Sequence, residues 1–348
     1  MNNTPPAVEI AQLPGTDQPV FTKSRSLTQD ALLRLTRNRA AVAGGIIIII
    51  YIVVALFAPL IAPRTFDQVS FASTNSAPRW VTRIFPSMKP VDEGGYVKVN
   101  EDYALGSDKL GRDLFSRILY GSRISMSVAV VGPVISIVIG FLVGLIAGYK
   151  GGWVDNLLMR IVDIMYAFPT MLLIILLMAF FRAGVGGEEM GPLVAFMTKL
   201  DASMGGLLFI FIGIGLTAWM GAARLVRGQV LVTREQEYVT AARAIGAPPA
   251  RIISRHILPN VIGPLIITET MAIPSYISYE AFLSFIGLGV NPPTPSWGGM
   301  ISEGALLIQN YPNQALFPAL ALFLLVFSFN FLGDGLRDAL DPTLRGSE

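Results

Sequence analysis

The side chains that most often carry enzymatic chemistry are scarce in this sequence of 348 residues. Cysteine is absent and His256 is the single histidine. That removes thiolate nucleophiles, disulfides and histidine-built zinc or haem sites. A membrane-embedded hydrolase would need a Ser/His/Asp set, paired carboxylates or a metal site, and one histidine argues against it. The phosphate-cradling pattern Gly-x-x-x-x-Gly-Lys-Ser/Thr does not occur. GSDKLGRD, at 106–113, contains a lysine but has the wrong spacing. The expectation is a chain without catalytic residues, metal or cofactor of its own.

Two acids are placed for something else. Glu269 and Glu280 interrupt the otherwise apolar stretch 261–285. On a helix their separation puts them on nearly one face, about 16 Å apart, with Pro274 between them as a potential kink. Ionisable residues at membrane depth face a bundle interior or a watery cavity. Two readings stand: a pathway lining, or local roles in which Glu269 pairs with a neighbouring helix and Glu280 lies near the outer interface.

The most distinctive polar stretch is Arg224 to Asn260. It carries Arg224, Arg227, Arg234, Arg243, Arg251 and Arg255 against Glu235 and Glu237. Tyr238 to Ala244 is a good helix former with small residues. Gly246 closes that helix as a glycine past a helix end does. Pro248 and Pro249 suit the first turn of a second helix over Ala250 to Leu258, which Pro259 is expected to end. The spacing predicts a helix–turn–helix elbow with a small-residued tip, a shape that fits a groove on a partner. An ordinary solvated loop is the alternative on composition alone. His256, beside Arg255, reads as a packing or hydrogen-bonding residue.

The elements around the elbow are those of a membrane protein. Hydrophobic residues make up 53% and charged residues 14%, against about a quarter charged in soluble domains. The net charge of +2 gives no argument for nucleic acid. Residues 1–30 read as a disordered cytoplasmic tail without the early apolar core of a signal peptide. Residues 31–63 hold the end of an amphipathic helix over Ser26 to Arg39, with Leu27, Leu32, Leu33 and Leu35 apolar, and a first span between Arg39 and Arg64. Residues 64–123 form an extracytoplasmic segment. Within it, Leu110, Leu114, Ile118 and Leu119 share a face, which predicts a helix lying at the interface. Residues 124–345 form a five-helix core with spans at Ile124–Tyr149, Ile164–Phe181, Leu207–Ala223, Val261–Phe285 and Gln314–Gly333. The expected fold is an all-α polytopic membrane protein with six transmembrane helices. The basic residues Arg34, Arg37 and Arg39, Lys150 and Arg160, the elbow arginines, and Arg337 and Arg345 then fall on the cytoplasmic side, giving N-in/C-in topology. Continuous rather than alternating apolar runs argue against a β-barrel.

Smaller features fit this frame. Gly140, Gly144 and Gly148 repeat every fourth residue after Gly132 and predict close helix packing. Asp163 and Arg160 are expected to pair locally. Trp297, in the rigid turn Asn291 to Gly299, reads as an interface anchor. Asp334, Arg337, Asp338 and Asp341 read as a cap and local ion pairs after the last span.

The elbow resembles the cytoplasmic loop of ATP-binding-cassette importer permeases, whose pattern is Glu-Ala-Ala, three residues, Gly, nine residues, Ile-x-Leu-Pro. Ala241, Ala242, Gly246, Leu258 and Pro259 fall at those spacings. Thr240 stands where the pattern has Glu, and His256 where it has Ile. ALFAPLIAP at 55–63, LGSDKLGRDLFSRILYGSRIS at 105–125, EAFLSFIGLGVNPPTPSWG at 280–298 and LGDGLRDALDPTLR at 332–345 resemble the C-type permease subunit of dipeptide and oligopeptide importers. That resemblance implies a heterodimer with a second permease subunit, two ABC ATPases carrying ATP and Mg, an extracytoplasmic solute-binding protein, and a place in the cell membrane. It implies an ATPase-coupling surface at Glu237, Tyr238, Thr240, Ala241, Ala242, Arg243, Gly246 and Pro259. Lining a pathway, Glu269 and Glu280 would meet a peptide ammonium. Nickel and other peptide-like solutes share the same permease pattern. An ion-driven secondary transporter is the reading from a different class; it predicts acidic or histidine relays in several spans and internal repeats, of which only Glu269 is a candidate.

Overall fold

The structure, a computed structural model, describes residues 33–183 and 191–340. The expected tail over 1–30, Leu27 and Leu32, and Asp341 and Arg345 lie outside the described residues. Within them the architecture is helical throughout. The first long helix, α1 (Arg39–Ile61), starts at Asn38, whose side chain accepts from the backbone N–H groups of Ala40 and Ala41. Those N–H groups have no partner inside the helix, which is why asparagine is favoured there. The same cap ends the helical residues 33–37. The amphipathic helix expected to reach Arg39 therefore stops one residue before Asn38.

The polar segment between α1 and the next long helix is pinned to the rest of the molecule. It contains one short α-helix, α2 (Arg79–Ile84). Ala77, Val81, Met88 and Val97 form a small core, with Phe85, Tyr311 and Phe317 packed against it. Asn313 donates to the Leu105 carbonyl at 2.9 Å, and Gln314 to the Ser107 carbonyl at 3.1 Å. Buried Asp108 accepts from Arg112 Nε at 2.6 Å and lies 3.7 Å from Arg117 Nε. At the surface Arg79 pairs with Asp92 and Glu93, and its hydrogen bond holds the Asp92 carboxyl below the usual carboxylate range.

Helix α3 (Leu114–Lys150) begins at Asp113, which caps it by accepting from the Ser116 N–H at 2.9 Å. Its 37 residues extend well beyond the ~30 Å of a hydrocarbon core. The separate interfacial helix expected over 103–125 is replaced by this continuous helix. Leu114, Ile118 and Leu119 are its first turns, and Leu110 precedes it. Nothing in the sequence breaks the helix between residues 123 and 124, so no boundary forms there.

The expected third span, Ile164–Phe181, is also different. Two helices, α4 (Gly152–Tyr166) and α5 (Thr170–Ala183), meet at an angle of 80°. Pro169 lies in the break. It disfavours helical conformation at Phe168 and supplies no N–H of its own. After α6 (Pro192–Ser203) comes α7 (Leu207–Arg234), then the elbow helix α8 (Glu237–Ala244) and the single turn α9 (Pro249–Ile252). A π-helical turn, Ile253–Ile257, leads without interruption into α10 (Leu258–Phe285), so Pro259 opens the long helix instead of ending the elbow. Proline has no N–H to return to the preceding turn, and the π-helical turn directly before it is where the continuous run departs from regular α geometry. The chain continues with α11 (Trp297–Ala305) and α12 (Asn313–Leu340). Asp334, Arg337 and Asp338 are exposed on the last turns of α12.

Five helices are long and apolar enough to cross a membrane: α1, α3, α7, the run from α9 through α10, and α12. The bent pair α4–α5 supplies a sixth crossing if counted as one. The glycine ladder on α3 lets α7 approach closely. A side chain at Gly144 would meet the Ala223 carbonyl oxygen of α7 at 2.5 Å, and one at Gly148 would meet Val230 Cβ at 2.9 Å. Gly140 faces Ala222 and Trp219 of the same helix, and Gly132 receives the ring of Tyr276 from α10. Trp297 is fully buried rather than at an interface. Its ring lies against Gly121 and edge-on to Tyr51 at 5.5 Å, and its indole N–H donates to the Ile118 carbonyl at 3.0 Å.

Candidate functional site

The elbow is a projecting tip with a packed back. Helix α8 buries Val239 and Ala242 against a cluster that contains Val226 and Val230 of α7, Ile252 and Ile257 behind the turn, and Val261 and Leu265 of α10. Its other face, Tyr238, Thr240, Ala241, Arg243 and Ala244, is exposed, as is Glu237. Gly246 adopts φ +80°, a left-handed conformation that costs a residue with Cβ about 1 kcal/mol or more. Its N–H donates to the Arg243 carbonyl at 2.9 Å, and the Ala247 N–H donates to the Ala242 carbonyl at 3.0 Å. The chain reverses there and leaves Ile245 at the tip, 86% exposed. His256 lies beside the Tyr238 ring, with centroids 5.8 Å apart, and Asn260 donates to its backbone carbonyl at 2.6 Å. This is a packing position.

The root of the elbow is braced by three of the six arginines. Arg227 donates to both carboxylate oxygens of Asp155 on α4, at 2.5 and 2.7 Å. Arg234 donates to the Gly148 carbonyl at the end of α3, at 2.8 Å. Arg224 donates to Asp163 at 2.6 Å and covers the Tyr166 ring at 4.1 Å. Asp163 thus pairs with Arg224 across two helices rather than with Arg160 on its own helix. Arg243, Arg251 and Arg255 stay exposed around the tip. The division of the six into braces and exposed charges depends on Asp155 and Asp163 of α4 and on the Gly148 carbonyl of α3, all far away in the chain.

The two acids of α10 occupy different surroundings. Glu280 is 0% exposed and accepts from Ser284 at 2.7 Å and Ser125 at 3.4 Å. Glu269 is 3% exposed, and its two oxygens lie 2.8 Å from the Ser136 hydroxyl on α3 and 2.9 Å from the Tyr276 hydroxyl. Beside Glu269 opens a cleft of about 290 Å³ between the α4–α5 break, α7 and α10. Among the described residues neither acid has an ion-pair partner. Glu269 does bond to a neighbouring helix, but through a serine.

Comparison with known proteins places this geometry. Residues 140–346 match the family described as binding-protein-dependent transport system inner membrane component. The chain belongs to that family. Residues 26–78 also match the N-terminal transmembrane domain of oligopeptide transport permease C. The oligopeptide transport system permease protein OppC of Bacillus subtilis is 38% identical over 95% of this chain and 94% of its own length. The dipeptide transport system permease protein DppC of the same organism is 38% identical over 92% of this chain and 88% of its own. The glutathione transport system permease protein GsiD of Escherichia coli is 38% identical over 90% of this chain and 89% of its own. The family match takes in α7, the elbow and both glutamates of α10. With its five or six crossing helices, this member of the permease family is a multi-pass membrane protein.

Proposed function

We propose that this chain is a permease subunit of an ATP-driven importer of peptides, forming half of a translocation pathway with a second permease subunit in the cell membrane. The bent pair α4–α5 counts as one crossing, which gives six spans with both termini on the cytoplasmic side. The elbow, Glu237 to Gly246, is the surface gripped by a cytoplasmic ABC ATPase. ATP and Mg belong to that partner, and an extracytoplasmic binding protein supplies the solute. Relatives named for oligopeptide and dipeptide transport, similar over most of this chain, support the peptide substrate.

One observation carries the mechanical part. Helix α8 is seated on α7 and α10 through Val239 and Ala242, while its opposite face and Ile245 are bare. A partner that pushes on the bare face moves the roots of two long helices, because the packed back leaves no slack between them. Coupling follows if nucleotide-driven closure of the ATPases favours one of two bundle arrangements over the other.

The test is uptake of labelled di- and oligopeptides by cells carrying the whole system, with wild type beside Gly246→Pro. Proline fixes φ near −65° and cannot hold the turn. Uptake should be lost while the chain still reaches the membrane. Normal uptake by that variant would remove the elbow from the mechanism. Isolation of the chain without any ATPase subunit, under conditions that keep complexes intact, would sink the reading as a whole.

A further inference from the structure

Arg224 and Arg227 at the elbow root, and Asp108 and Arg112 before α3, have opposite charges beside them, whereas among the described residues Glu269 has none. It sits near the middle of α10, whose 28 residues run from 258 to 285. An ionised carboxylate at that depth is costly without a counter-charge. Arg224, which covers the ring of the cleft residue Tyr166, is already held by Asp163. Ser136 and Tyr276 hydroxyls orient the Glu269 oxygens without neutralising them.

The space beside this carboxylate is shaped for a small cation. The cleft of about 290 Å³ is lined by Tyr166 and Thr170 at the α4–α5 break, and by Ser275, Tyr276 and Tyr279 together with Glu269 on α10. Tyrosine rings present negative faces to cations, and hydroxyls supply acceptors for the remaining N–H groups of an ammonium. Discontinuous helices that border a mid-membrane cavity are a recurrent way to expose polar groups there. Glu280, by contrast, is sealed at 0% exposure.

We propose that the cleft beside Glu269 is a cation site that takes a primary ammonium group of the solute in passage, with Glu269 as counter-charge and the tyrosine rings as walls. For a peptide this is the α-amino end or a lysine side chain. The identity of the solute rests on the importer reading above; the cation preference of the cleft does not.

The absence of cysteine from the chain allows a direct test in the assembled transporter in detergent. Ser275→Cys places a thiol at the cleft. Its rate of modification by the cationic reagent 2-aminoethyl methanethiosulfonate is compared with that by the anionic 2-sulfonatoethyl reagent, read by the mass of this chain. A counter-charged cleft should favour the cation by about tenfold or more over the ratio for a free thiol. Adding Glu269→Gln should return the ratio to the free-thiol value, while Glu269→Asp should keep most of the preference. A dipeptide with a free amine, but not its N-acetylated form, should slow modification; protection by free lysine as well would identify any primary ammonium as sufficient. An unchanged ratio with Glu269→Gln in an intact complex overturns the site, as does equal protection by the acetylated peptide. The thiol reaction needs neither ATPase turnover nor uptake, so its failure is distinct from failure of the importer reading.

Discussion

Arg227 on α7 grips both carboxylate oxygens of Asp155 on α4, at 2.5 and 2.7 Å. The pair ties the elbow root to the helix that leads into the α4–α5 break. Asp155 is buried and the Arg227 side chain is 35% exposed, so the interaction should exceed a solvated surface pair. A double-mutant cycle of Asp155→Asn and Arg227→Gln in the purified complex should give a coupling of about 1–2 kcal/mol, above the ~0.2–1 kcal/mol of exposed pairs. Thermal or denaturant unfolding measures it. Additive effects of the two changes would mean that the contact does not brace the elbow.

Gly144 and Gly228 both lie inside long helices and sit in opposite environments. A Cβ at Gly144 would meet the Ala223 carbonyl oxygen at 2.5 Å, whereas nothing lies within 4 Å of one at Gly228. Gly144→Ala should lower stability by about 1–3 kcal/mol through forced separation of α3 and α7. Gly228→Ala should be neutral or stabilising by up to about 1 kcal/mol, since alanine is the better helix former. Melting temperatures of the two purified variants distinguish the cases. Equal effects would show that α3 and α7 have room for a methyl group at Gly144.

Most of the fold was legible in the sequence because membrane crossings need long apolar runs, and those runs are continuous here. The elbow was legible because Gly246 and Pro248–Pro249 are strong punctuation. What escaped was decided by partners remote in sequence. Trp297 looks like an interface anchor until Gly121 is brought against it, and Asp163 looks like a partner for Arg160 until α7 delivers Arg224. The break at Pro169 had a local signal that the apolar run concealed. The continuity of α9 through α10 had none, since a proline at 259 ends one helix as readily as it opens another.

Ile245 offers the sharpest separation of docking from folding. At 86% exposed it contributes little to packing, so Ile245→Asp should change stability by less than about 0.5 kcal/mol, as surface substitutions usually do. If the tip enters a groove on an ATPase, the same change desolvates a charge there without a partner and should reduce recovery of the ATPase with the permease by about tenfold or more. Co-purification at matched membrane levels reads this. Full recovery would move the docking surface away from the tip.

Glu280 and Glu269 should respond differently to the same isosteric change. Glu280 is enclosed, and its carboxyl oxygens face the hydroxyls of Ser284 and Ser125. An amide can accept from one hydroxyl with its oxygen and donate to the other with its NH2, so Glu280→Gln should retain assembly and peptide uptake within about twofold, a cost near or below the ~0.6 kcal/mol typical of a polar contact between membrane helices. Glu280→Ala removes the acceptors and leaves a void beside two buried hydroxyls, which should cost about 2–4 kcal/mol and reduce the amount of intact complex. Glu269→Gln also preserves hydrogen bonds, here to Ser136 and Tyr276, so the complex should again assemble. Its uptake should nevertheless fall, because the charge facing the cleft is lost. Measuring uptake per assembled complex in the three variants separates a structural carboxyl from a functional one. If both glutamine variants transport alike, the charge of Glu269 does no more for passage than that of Glu280.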